Sequence, residues 1–103
     1  MKLDHVQGAR IRGIRSEIVW ALGVTDEIFA RYGVEAVITS GIDGKHSRGS
    51  IHYSGGAVDL RSRDFADGDA EKAVAELKDA LGPDFDVILE HNHIHLEYQP
   101  HEE

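Results

Sequence analysis

The stretch FDVILEHNHIHLEY, from Phe85 to Tyr98, decides how the chain folds. It reads as two strands, Phe85 to Glu90 and Asn92 or His93 to Tyr98, joined by a tight turn near His91-Asn92. With a two-residue turn, Glu90 lies opposite His93 and Ile88 opposite His95. Val87, Leu89, Ile94, Leu96 and Tyr98 then share one face and make a core. Glu90, His93, His95 and Glu97 share the other. The pairing register matters, because a slip of one residue would exchange the two faces.

Outward from this hairpin the chain alternates helix and strand signals. Asp69 to Leu81 is the clearest helix, with Ala70, Ala73, Val74, Leu77 and Leu81 as an apolar stripe. Asp67 or Asp69 is expected to cap its start, and Gly82-Pro83 to end it. The acidic cluster of Asp64, Asp67 and Asp69 lacks the calcium-loop pattern and fits turn and capping chemistry. Ala57 to Arg61 is a strand, with Val58 and Leu60 on one face and Asp59 and Arg61 on the other. Before it runs a glycine-rich loop, Ser40 to Gly56, long enough to be expected to carry function. Val34 to Thr39 is a β-branched run and reads as a strand. Ser16 to Tyr32 carries Ile18, Val19, Leu22, Ile28, Phe29 and Tyr32 at helical spacing, with Ser16 as N-cap and Gly33 as C-cap glycine. Gly23 inside that helix leaves a kink, or two short helices, as alternatives. Trp20 is expected in the core or at its edge. Residues 1–13 are polar and mixed and show no period.

The chain has 103 residues, enough for a single domain spanning 1–103. Its formal charge of −8 argues against nucleic-acid binding and against docking on an anionic membrane. It contains no Cys, which excludes disulfides, a thiolate nucleophile and Cys-ligated metal. The N-terminus lacks the apolar run of a secretory signal, so synthesis in the cytoplasm is expected. Seven His is an unusual number for this length, and five fall between His46 and His95. His is the commonest metal ligand, so their spacing is informative.

His93-Ile94-His95 places two imidazoles on one strand face. His52, in the loop, and Asp59, on the next strand, can converge with them. His52, Asp59 and His95 make a two-His, one-carboxylate set, and three protein ligands with an open position is the form of a catalytic zinc site. A hydrolytic site also needs a general base, and Glu90 is on the correct face. His93 can support the metal or an oxyanion.

SIHYSGGAVD, Ser50 to Asp59, fits the pattern S-x-H-x-x-G-x-A-x-D at every fixed position. With the preceding DGKHSRGS, Asp43 to Ser50, and the closing EHNHIH, Glu90 to His95, it resembles the zinc D-Ala-D-Ala carboxypeptidase family. That family includes phage L-alanoyl-D-glutamate endopeptidases, and its zinc site recurs in the Hedgehog N-terminal signalling domain. The resemblance covers Thr39 to Asp64 and Asp84 to Glu97.

The resemblance implies an α+β fold: a small antiparallel sheet of about four strands, with helices on one face and a zinc cleft on the other. It implies His52, Asp59 and His95 as Zn2+ ligands, with Glu90 and His93 catalytic. Glu90 is three residues before His93 and five before His95, so the choice of third ligand stays open between the two. His95 is preferred, because the second His of an H-x-H is the ligand in relatives that carry one. His46 aligns with a cleft-lining histidine, and Ser50, Gly55 and Ala57 have structural roles. Many bacterial members hold the substrate carboxylate with an Arg shortly after the first strand. Here Ile42-Asp43-Gly44-Lys45 follows instead, and Lys45, Arg48 or Arg61 is left for that task.

The function implied is a zinc metallopeptidase that cuts peptidoglycan by Glu90-activated, zinc-bound water. It would act as a D,D-carboxypeptidase or an endolysin-type endopeptidase on a stem peptide or a soluble muropeptide. A monomer is expected, and the small size resembles phage proteins released to the cell wall. The alternative is a non-catalytic, Hedgehog-like module that zinc stabilises, which would explain the missing Arg. A metal-storage or sensing protein is a third reading. His5, His91 and His101, the Arg10, Arg12 and Arg15 group, and Tyr53 and Tyr98 are read as solvated, turn or packing residues.

Overall fold

A computed structural model describes residues 1–3, 16–41 and 56–99. Among the described residues seven elements follow in order: β1 (Lys2–Leu3), α1 (Ser16–Ala30), β2 (Val37–Ser40), β3 (Ala57–Arg61), α2 (Asp69–Leu81), β4 (Phe85–Leu89) and β5 (His93–Tyr98). The strands form one sheet in the order β1-β2-β3-β5-β4. It is an α+β domain, but the sheet has five strands and is mixed, where about four antiparallel strands were expected. The added strand, β1, pairs parallel with β2 through Lys2↔Val37 and Leu3↔Ile38. Two residues cannot display a period of two, so no pattern marks it. The terminal ammonium anchors it, lying 3.1 Å from Asp26 of α1.

The β4–β5 hairpin has the register expected from alternation, with Ile88↔His95 and Val87↔Leu96 paired. Its two-residue turn closes with the Glu90 amide donating to the His93 carbonyl at 2.8 Å. β5 also pairs antiparallel with β3, setting Asp59 beside His95 and Arg61 beside His93. β2 begins at Val37 rather than Val34 and carries a register irregularity between Ile38 and Ser40, where it meets β3.

Both helices share one core with a single face of the sheet. Ile18, Ala21, Leu22, Ile28 and Phe29 of α1 and Ala73, Val74, Leu77 and Leu81 of α2 are buried with Val58, Leu60, Val87, Ile94 and Leu96. α1 is one continuous helix through Gly23, so neither the kink nor the pair of helices occurs. Its buried stripe is 18, 21/22, 25 and 28/29, at helical spacing. Val19 falls one residue off that stripe and is 60% exposed, against expectation. Thr25 fills the stripe instead, its hydroxyl donating to the Ala21 carbonyl at 2.8 Å. Trp20 is also more exposed than expected, at 52%, and rests its ring against Phe85 with centroids 5.8 Å apart. Gly33 takes a positive φ of 69° after α1, which only glycine adopts without strain.

α2 starts and ends where its periodicity predicts. Its cap differs: Gly68, in a left-handed conformation, occupies the N-cap, and no side chain caps the helix. Asp69 and Glu71 lie in the first turn instead, where their charge complements the helix dipole. The Tyr32 hydroxyl donates to Glu76, which Arg31 also approaches at 3.5 Å, and this ties the end of α1 to α2. No described helix is long and apolar enough to cross a membrane.

Candidate metal centre

The face of the sheet turned away from the helices is polar. β3 and β5 are central strands, and their pleat sends Asp59, Arg61, His93, His95 and Glu97 to that side while Val58, Leu60, Ile94 and Leu96 enter the core. The Asp59↔His95 pair brings carboxylate and imidazole together, with Asp59 Oδ1 3.0 Å from His95 Nδ1. His93 Nε2 lies 3.7 Å from the same oxygen. Asn92 Oδ1 lies 2.7 Å from His93 Nδ1. A carbonyl oxygen only accepts, so Nδ1 carries hydrogen and Nε2 is presented to Asp59. On the other side of His95, Glu97 Oε1 is 2.9 Å from Nε2.

His95 therefore sits between two carboxylates in a half-buried setting. The Asp59 hydrogen bond is the main reason its pKa is pushed up to about 9; burial opposes the shift, and Glu97 adds to it. The two carboxylates thus hold the ring's proton more firmly than a free imidazole does. Asp59 and His93 also line a cleft of about 570 Å³, together with Thr39, Ser40, Arg61 and Arg63. Thr39 Oγ1 reaches the Asp59 carbonyl at 3.4 Å. Arg61 Nε is held 2.7 Å from Asp64.

The donor types fit a zinc ion. Two ligands of a tetrahedral zinc with bonds near 2.05 Å stand about 3.4 Å apart. The Asp59–His95 and Asp59–His93 separations fall on either side of that distance. Among the described residues, no three His, Asp or Glu groups form a complete metal-holding set. The third ligand expected from the sequence, His52, lies outside the described residues, as do Lys45, His46, Arg48 and Ser50.

The structure thus brings together Asp59, His93 and His95. Glu90 stands at the hairpin end opposite His93, exposed, and does not line the cleft. Three contributors carry no role that the sequence assigns. Glu97 was visible as a member of the polar face, but alternation does not say that it leans onto His95. Asn92 was read only as a turn residue. Arg63 gave no signal, because its place in the cleft depends on how the chain leaves β3. Comparison with family models, with curated proteins and with solved structures gave no match.

Proposed function

We propose that this chain is a zinc metallopeptidase acting on the peptide of bacterial peptidoglycan, with His52, Asp59 and His95 holding the metal. One observation carries the reading: the β3–β5 register sets Asp59 and His95 3.0 Å apart on the open face of the sheet, beside His93 and a cleft. The motif SIHYSGGAVD and its resemblance to the zinc carboxypeptidases supply the remaining ligand and the substrate class.

When bound, zinc supplies a Lewis acid that polarises a peptide carbonyl and brings the acidity of water towards neutral pH. Glu90 accepts a proton on its carboxylate from the water that attacks the carbonyl carbon. It returns that proton to the amine nitrogen as the C–N bond breaks. His93, fixed through Nδ1 by Asn92, keeps its Nε2 edge at the cleft, beside the carbonyl oxygen on which negative charge develops. Arg61 and Arg63 bring positive charge to the cleft wall, which suits a substrate bearing carboxylates.

The non-catalytic alternative has one observation in its favour, the absence of Glu90 from the cleft lining. Mass spectrometry of peptidoglycan and soluble muropeptides separates the two. Zinc-loaded protein is expected to produce a defined mass loss that vanishes on chelation and in Glu90→Ala, while Glu90→Ala still holds its zinc. General-base loss lowers rates by about 10²–10⁴-fold. Protein that holds one zinc yet cleaves no stem peptide would leave the zinc-stabilised binding module.

A further inference from the structure

We propose that Glu97 is a positioning residue for the metal centre: it holds His95 by Nε2–H, so that Nδ1 is the nitrogen offered to the ion. The inference rests on the zinc-site reading above. It says which atom of His95 binds and what fixes it there, which neither the motif nor the resemblance specifies.

The geometry is local to β5. Residues 95 and 97 lie on the same face of one strand, and Glu97 reaches back along it to place Oε1 2.9 Å from Nε2. An ionised carboxylate only accepts hydrogen bonds, so Nε2 carries the hydrogen. The opposite edge of the ring then points Nδ1 at Asp59, 3.0 Å away. Both side chains are largely sheltered, 19% exposed for His95 and 16% for Glu97, so bulk water competes weakly for this bond. The neighbours of Glu97 across the sheet are Ala57 on β3 and Asp86 on β4. An alanine side chain offers no donor and a carboxylate only accepts, whereas an imidazole N–H donates. A metal-bound imidazole characteristically donates its second N–H to a carboxylate, which fixes the tautomer and strengthens the ligand.

The test is zinc affinity of the full chain, by competition with a chromophoric chelator, for wild type, Glu97→Ala and Glu97→Gln. Nitrogen-15 spectra of the His95 ring in the zinc-loaded wild type accompany it. Glu97→Ala is expected to weaken zinc about 10–100-fold. Glu97→Gln should fall between, because its amide oxygen still accepts from Nε2–H. The spectrum should show zinc on Nδ1 and hydrogen on Nε2, a signature that a merely structural role for Glu97 does not require.

Unchanged affinity in Glu97→Ala, or zinc on Nε2, overturns the inference and leaves the zinc site standing. A wild type that binds no zinc removes the zinc-site reading and the inference with it. Zinc binding that depends on Glu97 without any peptide cleavage keeps the inference and removes the peptidase. Circular dichroism of the zinc-free variants controls for folding. If Glu97→Ala does not fold, Glu97→Gln and the wild-type spectrum decide.

Discussion

Asp59 and Leu60 are neighbours in β3, and they face opposite worlds. Leu60 is fully buried among Val58, Ile94, Leu96 and the two helices. Asp59 enters a polar face with His93, His95 and Arg61. The helix side of the sheet is specified by apolarity alone: any residue of about the right size that removes carbon from water contributes. The open side is specified by pairs. A carboxylate beside an imidazole makes sense only with the register that joins them, and a single slip would dissolve the site. Rigid central strands therefore serve both purposes, since the packing that stabilises one face fixes the geometry of the other.

The largest difference between the faces should appear on truncation. Leu60→Ala is expected to destabilise the fold by about 2–5 kcal/mol, the range for emptying a buried leucine site. Asp59→Asn should lose zinc binding, and its cost in stability without metal should depend on pH, where that of Leu60→Ala does not. Urea unfolding in the presence of a chelator, alongside zinc titration, checks both. A Leu60→Ala variant as stable as wild type would mean the helix side is not the main source of stability. An Asp59→Asn variant that binds zinc normally would remove Asp59 from the ligand set.

A smaller effect distinguishes the faces by pH. The His95 pKa rises from its ordinary 6.5 to about 9 in the folded, metal-free protein, chiefly through Asp59. A folded-state pKa above the unfolded value stabilises most fully below pH 6.5, and the benefit disappears as pH rises through 9. Metal-free protein should therefore lose thermal stability across that window, and Asp59→Asn should flatten the loss. If His95 is a zinc ligand as proposed, zinc should reverse the trend, because the ion would have to displace the His95 proton and so bind more tightly as pH rises. A flat melting profile in chelator between pH 6.5 and 9 would show that His95 is not held as an imidazolium. Core variants such as Leu60→Ala should shift the whole profile without changing its slope.

The two faces were also unequally legible in the sequence. Alternation in FDVILEHNHIHLEY with a two-residue turn defines the hairpin register, and the 3.6-residue stripe defines α2 at both ends. Those signals are repeated over many residues, and burial reinforces each repeat. β1 escaped because two residues carry no period. Val19 and Trp20 were misplaced because apolarity does not reveal which side of a helix a single residue occupies. Capping of α2 was misassigned to an aspartate because a left-handed glycine can begin a helix with no side-chain acceptor. On the open face the strands disclosed which residues share a side, while the ligand types rest on the motif alone, with His52 outside the described residues. The contact between Glu97 and His95 stayed hidden, since a strand pattern gives a side chain's direction and not how far it leans.

The smallest expected effect lies on neither face. Gly23 sits in the interior of α1, on its exposed side, and a Cβ built there meets nothing within 4 Å. Replacing it with alanine removes backbone freedom from the unfolded chain and should stabilise the fold by about 0.5–1 kcal/mol. The gain should come with no change in zinc affinity and no change in the pH slope of stability. That makes Gly23→Ala the calibration for every variant of the open face: it measures how far a purely global change in stability moves the metal readouts. If zinc affinity rises together with the melting temperature, the metal centre is formed by the same transition that folds the core, and the two faces act as one unit. If affinity stays fixed, the open face is already assembled in the folded, metal-free protein, with Asp59 and Glu97 holding His95 before any ion arrives.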